Sequence, residues 1–411
     1  MTPPSAALRA RLLTPIAGEA EPRFVDDARV VIERGRIVGV DRGASASSHD
    51  VDLRPHVLVP GFVDAHVHFP QLRVVGSATG PLLDWLERSV FPEEARMRDL
   101  AYATEVAGEF TRSLVAAGTT TSAVFSTSSA SATEALFLAL EASGLRAFAG
   151  LTLMDQHAPP EVTVHALEAL AAADALAARW DGRDGGRLRF VVTPRFAISC
   201  SRGLLEGAAE LASRRGLFTQ THLAENEREG ALTLELHPFA EHYAGVYDAT
   251  GLLGPRTLLA HAVHLSAVEW DLVAARGARI AHCPDSNFFL GSGRMPLDEP
   301  TKRGVKVALG SDVGAGRSLS IRRAMLHAYD NALCVGAPRT PAELFRMATL
   351  GGAEALDLDG VVGTLEPGKE ADLVALTVPP YASTRDAVLA SIAFSDDAAP
   401  FAVWVRGARL L

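Results

Sequence analysis

The segment FVDAHVHFPQ, residues 62–71, ends an apolar run with His66 and His68 one residue apart and Gln71 three residues later. Side chains in a strand repeat every second residue, so both imidazoles share a face and can converge on one point. Three further apolar runs finish in groups that bind metals or move protons: His222 in LFTQTHLAEN, with Glu225 three residues on, His261 in TLLAHAV, and Asp312 in VKVALGSDVG. Nitrogen donors joined by a carboxylate suit a divalent transition metal, zinc first and ferrous iron next, and an open coordination position would acidify water. A lone HxH is most often an ordinary pair of half-buried histidines. The combination of four such strand ends carries the inference.

Groups arranged this way need a scaffold that brings several strand ends to one mouth. From 61 to 355, short β-like runs (GFVDAHVH, TTTSAVF, RAFAGLTL, LRFVVTPR, LFTQTHL, TLLAHAV, ARIAHCP, VKVALGSD) alternate with stretches of helical spacing such as ATEALFLALEAS and SRGLLEGAAELASRR. Eight such units predict an α/β fold, a (β/α)8 TIM-like barrel with its active groups at the C-terminal face. Residues 1–60 and 356–411 are strand-like, with Arg34-Gly35 as a hairpin turn in RFVDDARVVIERGRIVGV and more strands in GTLEPGKEADLVALTV and FAVWVRGARLL. The expectation is a small β-sandwich domain built from both termini around a catalytic barrel.

Composition narrows the function. The 411 residues are 48% apolar, enough for a large core. Asp and Glu number 49 against 39 Lys and Arg, and the net charge of −10 repels phosphate backbones, which disfavours nucleic acid. Cys200, Cys283 and Cys334 are far apart with no CxxC pair, which speaks against a disulfide framework and for a reducing compartment. The start lacks an apolar signal core, and Glu141 and Arg146 interrupt the most apolar long stretch. A cytoplasmic protein without a membrane partner is expected.

Together, PGFVDAHVHFPQ, PLLDWLERSVFPEEAR, VTPRFAISCS, THLAENEREG, ARIAHCPDSNFFLGSG and GVKVALGSDVGAG resemble the amidohydrolase superfamily and, within it, the metal-dependent deaminases that act on guanine. HxH and the final Asp belong to the whole superfamily, whereas HFPQ, TPRF and HLAEN discriminate within it. The resemblance implies that His66, His68, His222 and Asp312 hold one divalent metal, and that Glu225, His261 and Asp312 are catalytic. It implies that His68, Gln71, Arg195, Phe196, His222, Glu225 and Asp312 contact a purine base, and that the chain forms a homodimer. The implied reaction is hydrolytic deamination of guanine to xanthine and ammonia. Residue chemistry agrees: Arg195 offers a rigid donor fork to a C6 carbonyl, Phe196 a face for a flat base, and Gln71 both a donor and an acceptor. Ser311 stands where threonine is common in that group, and Arg294 lies in a loop that could border the pocket.

Rival readings within the fold are deamination of 8-oxoguanine, a pterin or an adenine nucleoside, and triazine dechlorination. A donor fork suits a ring carbonyl better than the C6 amine of adenine. A non-catalytic scaffold on the same fold should lack ligands, whereas all six proposed metal and catalytic positions are filled here. The PCxxC signature of cytidine-type deaminases is absent. His282 is read as either packing or pocket lining; His237, His242, His264 and His327 as solvated or backbone-satisfied; and His49, His56, His157 and His165 as without a role. GPLLDWLERSVFPEEAR is expected to form a helical cover in which Trp85 and Phe91 face the pocket or a neighbouring subunit, or simply pack on the barrel.

Overall fold

The computed structural model describes residues 6–43, 50–77, 80–395 and 398–411, so His49 lies outside the described residues. Four strands come first: β1 (Ala6–Thr14), β2 (Arg23–Glu33), β3 (Arg36–Arg42) and β4 (Val51–Pro60). Arg34 and Gly35 both have positive φ, 50° and 79°, and Glu33 pairs with Arg36 across them. This is the two-residue turn whose twist matches the flanking strands.

The chain then forms β5 (Phe62–His68), β6 (Thr119–Phe125), β7 (Arg146–Gly150), a short β8 (Thr152–Leu153), β9 (Leu188–Pro194), β10 (Phe218–Leu223), β11 (Thr257–His261), β12 (Arg279–His282) and β13 (Val307–Leu309). Hydrogen bonding runs β13-β12-β11-β10-β9-β7-β6-β5, every pair parallel. The ends meet where Asp312 donates its N–H to the His66 carbonyl (2.8 Å) and His68 donates to Val313 (3.0 Å). The result is a nearly closed eight-stranded barrel whose strands alternate with helices such as Ala130–Ser143, Ala166–Trp180 and Arg202–Arg215.

Inside, Val63, Ala65, Ala123, Phe148, Val191, Phe218, Leu258, Ala281 and Ala308 pack with Leu356, Leu358 and Val362, filling the lower barrel. Phe62, Val67, Val192, Leu259 and Ile280 face the helix layer in the largest apolar cluster. Two-residue alternation from Val63 and Ala65 would turn His66 and His68 toward the helices. Instead the register shifts between Asp64 and Val67, where three residues of β5 span two of β6. This bulge re-aims both histidines at the interior.

The last strands, β14 (Leu373–Leu376), β15 (Ala402–Val405) and β16 (Ala408–Arg409), join the first four in one mixed sheet ordered β16-β15-β14-β4-β1-β2-β3. Both termini therefore build the small β domain. An ion cluster fastens it to the barrel: buried Arg146, at the start of β7, reaches Glu370 (2.6 Å) and Asp372 (3.1 Å), and Glu370 also accepts from Arg406 (2.7 Å). Among the described residues no helix is long and apolar enough to cross a membrane.

Candidate active site

Four strands deliver the polar groups to the barrel mouth. His66 and His68 close β5, His222 lies near the end of β10 and His261 ends β11. Asp312 lies three residues beyond β13, which is shorter than VKVALGSD suggests. Gly310 explains the early end: a Cβ there would sit 2.8 Å from His66 Cβ and 2.9 Å from Cys283 Sγ, so the chain passes too close to continue a regular ladder. The turns out of these strands use left-handed backbone at Ala224 (φ 49°), His261 (φ 74°), Ala262 (φ 52°) and Asp312 (φ 49°). Such conformations are costly away from glycine and cluster at functional sites.

His68 Nε2 lies 3.2 Å from His66 Nε2 and 3.1 Å from His222 Nε2. Asp312 Oδ1 is 3.1 Å from His66 Nε2 and 3.4 Å from His68 Nε2. Tetrahedral ligands about 2.0–2.1 Å from a common centre stand roughly 3.4 Å apart, so this spacing fits a small divalent ion. The protonation states fit as well. Burial lowers the pKa of His66 and His222 and takes that of His68 down to about 3, leaving neutral imidazoles with free lone pairs. His222 Nδ1–H donates to the Arg195 carbonyl at 2.6 Å, which turns Nε2 inward. The donor set therefore fits a divalent metal.

Beside the cluster, Glu225 is buried. Burial, reinforced by the charge of Asp312, pushes its pKa up to about 8, a range in which a carboxyl can take and return a proton near neutrality. Ser292 Oγ donates to Glu225 Oε1 at 2.9 Å. Glu229 accepts from the Glu225 N–H (2.8 Å) and closes a capping box with Asn226 at the start of the helix Glu227–Leu236. His261 Nδ1–H donates to Asn287 Oδ1 (2.9 Å), so Nε2 faces Glu225 Oε2 at 3.5 Å and Asp312 Oδ2 at 3.8 Å. Asp64 accepts from the Ser311 N–H (2.9 Å) and hydroxyl, tying the histidine-bearing strand to the segment that carries Asp312. The serine at 311 supplies the hydroxyl this tie needs.

A cavity of about 370 Å³ opens onto these groups, lined on its polar side by His68, Gln71, Arg195, His222, Glu225, Glu229, His261 and Asp312. Its apolar wall combines Phe196 with Leu82, Trp85, Leu86 and Leu290. The structure thus gathers His66, His68, Gln71, Arg195, Phe196, His222, Glu225, His261 and Asp312 at one mouth. It leaves Arg294 exposed and away from the cavity, and buries His282 without placing it on the lining. His237 and His264 are held by the backbone carbonyls of Ala197 and Ser292.

The structure adds groups that the sequence reading passed over: Glu94, Glu229, Asn287 and Ser292, together with Leu82, Leu86 and Leu290 of the apolar wall. Of these, only Glu229 had a readable signal, the Asn226-x-x-Glu229 capping pattern.

Comparison with known proteins agrees with this geometry. The Amidohydrolase family model matches residues 57–410. A probable guanine deaminase from Deinococcus radiodurans is 41% identical over 385 residues, spanning 90% of this chain and 87% of its own. The solved E. coli guanine deaminase superposes with a TM-score of 0.93 at 33% identity, covering 98% of this chain and 99% of its own. A guanine deaminase from C. acetobutylicum, solved with guanine in its active site, gives 0.93 at 29% identity over 99% of this chain and 100% of its own. The chain belongs to the amidohydrolase family, in its guanine deaminase group.

Proposed function

We propose that this enzyme hydrolyses the exocyclic C2–N bond of guanine, giving xanthine and ammonia. The observation that carries the reading is the placement of a buried donor fork, Arg195, and an amide, Gln71, across one small cavity from the three-histidine, one-aspartate cluster. Arg195 takes the C6 carbonyl, Gln71 reads another polar edge, and Phe196 bounds the plane of the base, which leaves C2 facing Glu225. A divalent ion on His66, His68, His222 and Asp312, zinc before ferrous iron, would acidify the attacking water.

Glu225 accepts a proton from that water as its oxygen bonds to C2, then delivers it to the ring nitrogen beside C2. His261, with its tautomer fixed by Asn287, offers the Nε2 lone pair beside Glu225 and holds the water's remaining hydrogen in line. The remaining hydroxyl hydrogen then passes by way of Glu225 to the amine, so that C2 becomes a carbonyl as the C2–N bond breaks and ammonia leaves. Leu82, Trp85 and Leu86 line the cavity with apolar surface beside these polar groups. A 6-amino ring would present a donor to Arg195 instead of an acceptor, which disfavours adenine nucleosides.

We also propose that residues 61–355 form the catalytic barrel, framed by 1–60 and 356–411, and that the enzyme acts as a cytoplasmic homodimer on free purine base. The test is ammonia release by metal-reconstituted enzyme from guanine, 8-oxoguanine, isoxanthopterin, adenine, cytosine and adenosine. Guanine is expected to be turned over fastest; activity confined to another ring would overturn the substrate assignment. Glu225→Gln should retain bound metal and lose at least about a hundredfold in kcat. Full activity in that variant would remove Glu225 from the mechanism.

A further inference from the structure

Glu94 belongs to the helix Phe91–Arg96, in the segment that covers the mouth, and its side chain is 1% exposed. Both of its carboxylate oxygens lie 2.7 Å from Arg195 Nη1. Oε1 also accepts from Gln71 Nε2 at 3.2 Å. The other end of the Gln71 amide is committed too, because Oε1 accepts the Gly314 N–H at 3.2 Å. From the same helix, the Phe91 ring lies 5.4 Å below the guanidinium carbon. Glu94 does not line the cavity itself.

We infer that Glu94 is the positioning residue that gives this site its preference for an oxo group on the base, acting through Arg195 and Gln71; this rests on the guanine reading above. Holding Nη1 fixes the plane of the guanidinium, so its remaining N–H groups meet an acceptor on the ring in one set direction. Fixing the Gln71 amide leaves one N–H and one oxygen lone pair for the ligand, where a freely turning amide would accept either polarity. Glu94 also neutralises Arg195, so the buried fork reads a neutral carbonyl and does not select for anions.

The test is calorimetric binding of two non-reacting bases, hypoxanthine with a 6-oxo group and purine without one, to metal-loaded wild type and Glu94→Gln. Guanine turnover and melting temperature are measured on the same samples. Wild type should prefer hypoxanthine. In Glu94→Gln that preference should shrink by about tenfold or more, with purine affinity nearly unchanged and the loss with guanine appearing in KM rather than kcat. Glu94→Asp, which keeps the charge, should restore part of the preference and provides the comparison should the amide variant fold poorly. Equal weakening of both ligands would reduce Glu94 to a structural role, and an undiminished preference would remove it altogether; either overturns the inference. A wild type without oxo preference or guanine turnover would overturn the guanine reading and the inference with it.

Discussion

Ser292 offers the sharpest test of how Glu225 is tuned. Its hydroxyl donates to Glu225 Oε1 at 2.9 Å inside a buried site, and it opposes the burial and Asp312 charge that push the carboxyl pKa up. Hydrogen bonds to charged groups contribute about 1.5–3 kcal/mol, and the donor is lost outright in Ser292→Ala. At 1.36 kcal/mol per pKa unit, the Glu225 pKa should rise by about one to two units. Glu225 must be ionised to take a proton from water, so activity falls as pH drops through its pKa. A raised pKa therefore moves the acid limb of the kcat/KM profile to higher pH, by about one to two pH units. The plateau rate at high pH should survive within about tenfold, since the base itself remains. Steady-state kinetics on guanine across the pH range, with metal content measured at each end, reads this directly. An unmoved acid limb, or one moved toward lower pH, would refute the assignment of Glu225 as the titrating base or of Ser292 as its donor.

Three further outcomes follow from the same geometry. Asn287→Ala frees the tautomer of His261 and should lower kcat about tenfold to a hundredfold with metal content unchanged; metal loss in parallel with activity would instead place His261 in the ligand set. Chelation should abolish turnover and lower the melting temperature, and restoring zinc or ferrous iron separately, with metal analysis and ammonia release as readouts, decides which ion supports the chemistry. Arg146→Met strips the buried Glu370 and Asp372 of their central cation and should cost about 3–5 kcal/mol in urea unfolding. A loss below about 1 kcal/mol would show that the link between barrel and small sheet does not depend on this ion cluster.

The sequence made the metal-type cluster legible because those residues have no packing reason to be where they are. Histidines and an aspartate at the ends of apolar runs are costly to bury without a partner, so their recurrence at four strand ends pointed to one mouth. The barrel strands were legible as short β-like runs, such as LRFVVTPR and LFTQTHL, set between longer stretches of helical spacing. What could not be read was backbone detail that depends on a neighbour. The bulge between Asp64 and Val67 leaves no mark in FVDAHVH, yet it decides which way His66 and His68 point. The end of β13 at Leu309 depends on how closely Gly310 approaches His66 and Cys283.

The adjacent pair Glu93 and Glu94 shows where single-sequence inference ends. Both stand in the first turn of one short helix, where a carboxylate is favoured by the helix dipole; Glu93 has Arg96 three residues on as a local partner, and Glu94 reads as nothing more than a solvated charge. In the structure Glu93 takes the Arg96 role at 2.8 Å and also accepts from the Tyr102 hydroxyl, while Glu94 turns in to Arg195, 101 residues away in the chain. One residue of rotation about the helix separates a local ion pair from control of the substrate-reading fork. The groups that do the chemistry are recognisable by type, whereas the groups that aim them are ordinary residues made decisive only by the partner that folding brings to them.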